Sequence, residues 1–203
     1  MSVYQLKSRF QDILRPLVRS LAARGITANQ VTSVAAAVSV ALGLFLSIAP
    51  LPRCFLLVPV WFLLRMGLNA IDGMLAREHG QKSILGAYLN EIGDVISDAA
   101  LYLPFALIDP NDMMPAMAVI FLSALTEFAG VLGQTVGASR RYDGPLGKSD
   151  RAVLFGALGL FITVGGTFAA WTFWLWAMVA LLLVWTIINR IGAGVREAHR
   201  AAR

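Results

Sequence analysis

Residues 69–98 read NAIDGMLAREHGQKSILGAYLNEIGDVISD, and they place acidic and amide side chains between strongly apolar segments. Spacings of three in the first half and four in the second put these side chains on one face of each predicted helix. A short polar connection joins the two helices, so an antiparallel arrangement would bring the two faces together. The polar residues are Asn69 and Asp72 on the first face, and Asn90, Asp94 and Asp98 on the second.

The composition predicts a membrane protein. The chain has 203 residues, of which 58% are hydrophobic and 14% are charged, whereas soluble domains carry about 25% charged residues. Mean hydropathy is +0.69. The single Cys54 excludes an internal disulfide, and no paired cysteines indicate zinc or redox chemistry.

The apolar segments predict an all-α, six-transmembrane-helix bundle that forms a single membrane domain over residues 1–203. A spanning helix needs about 20 apolar residues, and six segments of suitable length are separated by Pro, Gly or charge. A basic amphipathic helix at 4–23 is predicted before them, either in the membrane interface or packed on the cytoplasmic end of the bundle. The spans are 31–50, 54–76, 84–108, 113–136, 152–169 and 171–191.

The basic residues predict the orientation. They cluster before the first span, between the second and third, between the fourth and fifth, and after the sixth, while the other side holds only Arg53. The positive-inside rule then puts both termini and the polar stretch on the cytoplasmic side of the cell membrane. The net charge of +5 is explained by lipid head groups or a phosphorylated substrate. No motif typical of nucleic-acid binding is present.

Carboxylates inside a membrane segment indicate a functional site, because each one is costly unless it is paired, hydrated or bound to metal. Several acids that face one another also repel, and a divalent cation with oxygen ligands such as Mg²⁺ or Mn²⁺ relieves that repulsion. The structural alternative is that the acids cap helices or pair with Arg65 and Arg77. The repeated spacing beside Gly73 and Gly86 favours the functional interpretation.

The same stretch resembles the signature of the CDP-alcohol phosphotransferase family, which reads D-x2-D-G-x2-A-R-x8-G-x3-D-x3-D. The segment GITANQVTS at residues 25–33 is also similar to the segment that precedes the first span in that family. The first and third signature aspartates are replaced by Asn69 and Asn90, and each exchange removes one negative charge. The matching residues are Asp72, Gly73, Ala76, Arg77, Gly86 and Asp94.

The resemblance implies a site with one or two Mg²⁺ or Mn²⁺ ions. It implies metal ligands at Asn69, Asp72, Asn90 and Asp94, with Asp94 also the catalytic general base. Asp98 is not a signature position; one turn beyond Asp94, it is expected to orient Asp94, with an outer metal ligand or a pair with a basic group as the alternatives. Glu91, next to Asn90, is expected to support the same ligands or to replace the lost charge. The residues that would contact the CDP-linked donor are Asn29, Thr32, Gly73, Arg77 and Ser83.

Basic residues near the start of the fifth span predict an anion site. By the resemblance, Arg141, Lys148 and Arg151 would bind the phosphate of a phosphorylated acceptor; the alternative is an anchor to lipid phosphates. Glu127 lies inside the fourth predicted span. It is predicted to pair with Arg65, to position the acceptor, or to face a water-filled cavity, and the sequence does not separate these three roles.

The predicted function is transfer of a phosphatidyl group from a CDP-alcohol, with CDP-diacylglycerol as the expected donor, to a hydroxyl acceptor with release of CMP, in phospholipid biosynthesis. The resemblance also implies a homodimer among membrane lipids. Two alternatives remain from the residues themselves. The asparagines favour a catalytically silent protein that binds CDP-lipid or metal, and intramembrane acids also occur in ion or proton transporters.

Overall fold

The computed structural model describes the backbone of residues 3–202 and the side chains of residues 9–202. Helices make up 82% of the structure, and no strand occurs in the described range, so the all-α prediction is confirmed. Short 3-10 turns at Pro52–Leu56 and Pro110–Asp112 precede the third and fifth helices. The helices are α1 (Val3–Ala23), α2 (Ala28–Ile48), α3 (Leu57–Glu78), α4 (Ile84–Ala106), α5 (Met113–Thr135), α6 (Lys148–Thr163) and α7 (Ala170–Ala201).

Four segments are long and apolar enough to cross a membrane, and they make the chain a multi-pass membrane protein. They are Ala28–Ile48, Pro52–Glu78, Pro110–Thr135 and Ala170–Ala201. The helix α4 has the length of a span but carries three carboxylates, and α6 has only 16 residues. The predicted count of six spans therefore stays a prediction for α4 and α6.

The bounds of the fifth predicted segment, 152–169, do not match those of the helix that forms there. The helix α6 begins at Lys148, because the Gly147 N–H donates to Asp150 Oδ2 over 2.8 Å and caps the first turn. It ends at Thr163, since Gly165 has a φ of +93° and turns the chain. Residues 164–169 are connection, and the charged residues at the start of α6 belong to the helix.

The first helix packs against α3. Val18 is fully buried between them, and Leu14 packs beside it. Arg15 pairs with Glu78 at the end of α3 over 3.2 Å. Ile13 on another face of α1 is 76% exposed. The helix therefore packs on the bundle with one face and leaves another face free to contact the membrane interface. Residues 4–8 of the predicted amphipathic pattern lie outside the described side chains.

The packing order places α2 against α3 and α4, α5 against α4 and α7, and α6 against α3. An aromatic core lies where α4, α6 and α7 meet. Tyr102 and Phe155 stack there with ring centroids 3.7 Å apart, and Trp176 stacks on Phe155. Tyr102 and Phe155 each lie one helical turn from a buried charged residue, Asp98 and Arg151, so a dry apolar layer directly borders a charged one.

Gly43 lets α2 approach α4 closely, and Gly43→Ala is expected to destabilise the protein. A Cβ at this position would overlap the Ala100 carbonyl oxygen, which is backbone and has no rotamer to escape into. Overpacking of this kind costs about 1–3 kcal/mol, so the thermal unfolding midpoint in detergent should fall by several degrees. Gly67→Ala in α3 is the matched control, because a Cβ there meets nothing within 4 Å. Equal midpoints for the two variants would contradict the close contact.

Candidate functional site

An open cleft of about 430 Å³ lies between the start of α2, the end of α3 and the start of α4. It is lined by every residue predicted to contact the donor and by three of the four predicted metal ligands. The polar connection between α3 and α4 closes one end through Gln81 and Lys82. The predicted residues on its walls are Asn29, Thr32, Asn69, Asp72, Gly73, Arg77, Ser83, Gly86 and Asn90.

The start of α2 is held in place by local capping and by the α3–α4 connection. Thr27 caps the helix by accepting from the Gln30 N–H, and the Gln30 side chain accepts from the Thr27 N–H in return. The Ala28 N–H donates to Gln81 Oε1 over 2.7 Å. Asn29 Nδ2 donates to Ser83 Oγ over 3.3 Å. These bonds fix the amino-terminal end of α2 against the segment that leads into α4.

Asp72 is the carboxylate on the cleft wall. It is largely buried, and Thr32 Oγ1 donates to its Oδ2 over 2.8 Å. Asn69, one turn earlier on α3, lines the same cleft, as the spacing of three predicted. The Arg77 guanidinium folds back over Gly73, with Nη2 3.0 Å from where a Cβ would stand. One face of α3 thus combines an amide, a carboxylate and a guanidinium.

Gly86 is required for the shape of the cleft. A Cβ at residue 86 would lie 2.6 Å from Asn29 Oδ1 and 2.9 Å from Ser83 Oγ. The missing side chain therefore lets Asn29 and Ser83 pack against the α4 backbone at the point where α2 and α4 converge. Any larger residue at this position would push these two cleft side chains out of place.

Asp94 does not line the cleft, unlike Asn90 one turn before it. Its carboxylate lies between two cations: Lys148 Nζ is 2.5 Å from Oδ2, and Arg65 Nη2 is 3.0 Å from Oδ1. The structural alternative of pairing with Arg65 is therefore observed for Asp94. The four predicted metal ligands divide into three on the cleft wall and one held by basic side chains.

The donor set in the cleft suits a hard divalent cation. Asn69, Asp72 and Asn90 offer amide and carboxylate oxygens, the ligand types that Mg²⁺ and Mn²⁺ prefer. Among residues 9–202, no group of three His, Cys, Asp or Glu side chains stands close enough together to hold a metal. The residues fit an ion that receives several of its ligands from a phosphate substrate, and they do not form an all-carboxylate cage.

A buried ion-pair network extends from Asp94 into the bundle. Arg65 joins Asp94 to Asp98, with 2.5 Å between its Nη1 and Asp98 Oδ1. Arg151 is fully buried, and its Nη2 lies 3.2 Å from Asp98 and 2.9 Å from Glu127. Five residues thereby tie α3, α4, α5 and α6 together.

Glu127 lies at the end of this network opposite Asp94, and its partners exclude one of the three roles predicted for it. It pairs with Arg151, Arg140 and Arg190, at 2.9, 3.3 and 3.6 Å respectively. The predicted pairing with Arg65 is wrong, because Arg65 is taken by the acids of α4. Arg140 and Arg190 received no role from the sequence. A buried acid in one span does indicate a basic partner elsewhere, but not which one.

The predicted acceptor residues all have carboxylate partners in the structure. Arg151 is closed off from solvent, and Lys148 is bound to Asp94. Arg141 pairs with Asp143 over 2.9 Å and also with Glu197. The three residues therefore do not share one open anion site.

The two residues expected behind the metal ligands differ in position. Asp98 is buried and lies one turn from Asp94, to which Arg65 links it. Glu91 lies outside the cleft wall and pairs with Arg140 over 2.5 Å. Asp98 thus contacts the same cation as Asp94, whereas Glu91 belongs to the arginine cluster around Glu127.

Comparison with known proteins gives a consistent family pattern. The profile of the family described as CDP-alcohol phosphatidyltransferase matches residues 25–188. The chain is 47% identical over 190 residues to the inner membrane protein YnbA of Escherichia coli, covering 94% of each chain. It is 28% identical over 192 residues to the phosphatidylinositol phosphate synthase of Corynebacterium glutamicum, covering 89% of this chain and 83% of that protein.

Solved structures share the fold. The phosphatidylinositol phosphate synthase of Mycobacterium tuberculosis in complex with manganese and citrate superposes with a TM-score of 0.70 at 20% identity, covering 88% of this chain and 87% of that one. The same enzyme with CDP-DAG bound gives a TM-score of 0.68 at 20% identity, covering 92% and 94%. At this level of identity the likeness concerns the arrangement of helices.

Proposed function

This chain belongs to the CDP-alcohol phosphatidyltransferase family, a family of transferases, and from that premise we propose its substrates and mechanism. The donor is CDP-diacylglycerol, the acceptor carries a free hydroxyl group, and CMP is released in a step of phospholipid biosynthesis. The observation that supports this most is one cleft lined by every residue predicted to contact the donor and by three of the four predicted metal ligands. Support for the donor also comes from the mycobacterial neighbour that was solved with CDP-DAG.

The cleft supplies the contacts that a CDP-linked donor needs. Arg77 provides a positive charge beside Gly73, and the start of α2 presents the positive end of its helix dipole to the cleft. The absence of a side chain at Gly86 lets Asn29 and Ser83 stand close to α4, where both line the cleft that would receive the donor. In this proposal the pyrophosphate lies along α3, and the acyl chains extend toward the apolar surface.

Asn69, Asp72 and Asn90 would hold a single Mg²⁺ or Mn²⁺ ion. One carboxylate and two amides give the site a charge of only −1, which suits one ion shared with the pyrophosphate better than two. When bound, the cation polarises the phosphoryl group and stabilises the charge on departing CMP. A fold neighbour was solved with manganese, which is compatible with either metal.

Asp94 is the proposed general base. The acceptor oxygen attacks the phosphorus of the donor, the bond from that phosphorus to CMP breaks, and the hydroxyl proton passes to Asp94 Oδ2. That oxygen is the one Lys148 contacts, and the Lys148 side chain is 29% exposed, so it has room to move aside. Arg65 meanwhile keeps hold of Oδ1 and fixes the orientation of the carboxylate.

The orientation and assembly are proposals as well. The concentration of basic residues around the ends of α1, α3, α6 and α7 supports a cytoplasmic location for both termini and for the cleft. The homodimer stays a prediction from the family resemblance.

The test is release of CMP by the purified protein. Protein in lipid nanodiscs, CDP-diacylglycerol, Mg²⁺ and a panel of hydroxyl acceptors should give CMP and a new phospholipid in equal amounts. Removing the metal with EDTA should stop the reaction, and adding Mg²⁺ or Mn²⁺ should restore it. No CMP with any acceptor, while an active family member works in the same assay, would count against the proposal.

A silent CDP-lipid-binding protein is the second candidate, since Asn69 and Asn90 weaken the metal site and Asp94 is paired with Lys148. The double variant Asn69→Asp with Asn90→Asp separates the two candidates. A specialised enzyme should lose activity at least tenfold, because its site is adapted to the lower charge. Activity that arises only in the variant would support the silent protein. The family assignment does not favour the transporter alternative.

A further inference from the structure

Three arginines converge on the buried carboxylate of Glu127. Arg140 comes from the connection after α5, Arg151 from α6 and Arg190 from α7, and their nitrogens lie between 2.9 and 3.6 Å from its oxygens. The side chain of Glu127 is only 7% exposed. Guanidinium groups from three elements around one oxyanion form the arrangement that also recognises phosphate.

This arginine cluster, Arg140, Arg151 and Arg190, adjoins the proposed acceptor position. Lys148 contacts Asp94 and lies one turn before Arg151 on α6. Arg151 in turn links Glu127 to Asp98, one turn beyond Asp94. An acceptor whose hydroxyl reaches Asp94 therefore lies one helical turn, about 5.4 Å along α6, from Arg151, the member of the cluster that follows Lys148.

The arginine cluster and the acids that contact it have only a small net positive charge. Among the described residues, the network contains five cations (Arg65, Arg140, Lys148, Arg151 and Arg190) and four carboxylates (Glu91, Asp94, Asp98 and Glu127), hence a net charge of +1. A phosphate monoester carries about −1.5 to −2 at neutral pH, so its entry would give the network, most of which is buried, a net negative charge. An uncompensated buried charge is strongly unfavourable.

Neutral oxygen atoms, in contrast, would find unused donors in the same place once the surrounding side chains move to admit an acceptor. The Nε atoms of Arg140, Arg151 and Arg190 are buried and have no hydrogen-bond partner within the protein. A hydroxyl group accepts from such a donor without adding charge. The cluster is thus matched to a polyol and mismatched to its phosphate ester.

We infer that Glu127 selects an unphosphorylated hydroxyl acceptor by occupying with its own carboxylate the arginine site that an acceptor phosphate would need. The inference rests on the proposed transfer reaction and concerns the class of its acceptor. It replaces the phosphorylated acceptor predicted from Arg141, Lys148 and Arg151. It also sets this chain apart from the relatives named phosphatidylinositol phosphate synthase.

The test compares matched acceptors that differ only in the phosphate: glycerol with glycerol 3-phosphate, and myo-inositol with inositol 1-phosphate. The wild-type protein should show a kcat/KM at least tenfold higher for the unphosphorylated member of the preferred pair. Glu127→Gln raises the net charge of the network from +1 to +2 and should shift that ratio at least tenfold toward the phosphate ester. A wild-type preference for the ester, or a smaller shift, would overturn the inference.

Glu197→Gln is the matched control, because it makes the same change at a glutamate paired with Arg141 outside the network. Its acceptor ratio should equal that of the wild type, and a shift in this variant in place of Glu127→Gln would also overturn the inference. The Glu127→Gln variant should stay folded, because each arginine retains another interaction partner. Arg140 still pairs with Glu91, Arg151 still pairs with Asp98, and Arg190 still donates to the Thr126 carbonyl. The wild-type ratio is informative whether or not the variant folds.

Calorimetric titration with inorganic phosphate separates this inference from the proposed function. Phosphate should bind Glu127→Gln at least tenfold more tightly than the wild type, whether or not CMP is released. Absence of CMP with all four acceptors would contradict the transfer reaction alone. Equal phosphate affinities in the two proteins would contradict the role of Glu127 alone.

Discussion

Asp94→Asn is expected to lower the rate of CMP release by a factor of about 10²–10⁴, the usual contribution of a positioned general base. Asparagine has nearly the same shape and keeps an oxygen that accepts from Arg65 or Lys148, so the structure around residue 94 should persist. It cannot take the proton of the acceptor hydroxyl. The loss should therefore appear in kcat, while the KM for the CDP-linked donor stays within a few-fold of the wild type.

The control for this variant is Asp109→Asn, the same chemical change just beyond the opposite end of α4. Asp109 Oδ1 accepts from the Asn111 N–H and has no contact with the cleft, and asparagine preserves that cap. Its turnover should match that of the wild type. If Asp94→Asn retains more than a third of the wild-type kcat, Asp94 is not the base.

Arg151→Met is expected to produce the largest loss of stability. The Arg151 guanidinium is fully enclosed and donates to Thr126 Oγ1, Asp98 and Glu127. Breaking a buried ion pair from one side costs about 3–5 kcal/mol, because the remaining charge is left without its partner. The other arginines near Asp98 and Glu127 should keep the effect near the lower value. Thermal unfolding in detergent should start well below the wild-type temperature.

A second substitution tests whether the loss comes from unpaired charge. Combining Arg151→Met with Glu127→Gln removes one of the two carboxylates that lost their partner, so the double variant should be more stable than the sum of the two single effects predicts. Arg53→Met, at an exposed position on the opposite side of the membrane in the predicted orientation, should unfold like the wild type. Additive effects at residues 151 and 127 would show that shape rather than charge explains the loss.

The part of the cleft formed by α3 and α4 was predictable because its residues are close in sequence. Asn69, Asp72 and Arg77 share one face of α3, and Ser83 and Gly86 follow the short connection. Helical periodicity sets which side chains lie together on each helix, and a short connection forces the helices to run antiparallel. The segment around Asn29 was placed by family resemblance, and capping by Thr27 and Gln81 holds it there.

The boundaries of α6 were harder to predict from hydropathy. The predicted span 152–169 followed the apolar residues, whereas the helix follows its caps and runs over Lys148–Thr163. Hydropathy reports burial in lipid, but hydrogen bonds at the ends decide where a helix begins and stops. The four residues from Lys148 to Arg151 are therefore helical. This geometry places two cations, Lys148 and Arg151, next to α4.

By itself, the sequence determined an all-helical membrane chain and the polar faces of α3 and α4, because these depend on local spacing and apolar length, while the family resemblance supplied the residues that line the cleft from α2. Only the tertiary structure decided that Asp94 pairs with Lys148 and that Glu127 pairs with three arginines. Ion pairing inside a membrane bundle joins residues far apart in the chain. Any buried acid can be neutralised by any basic group that packing brings within reach, so helix packing selects the partner.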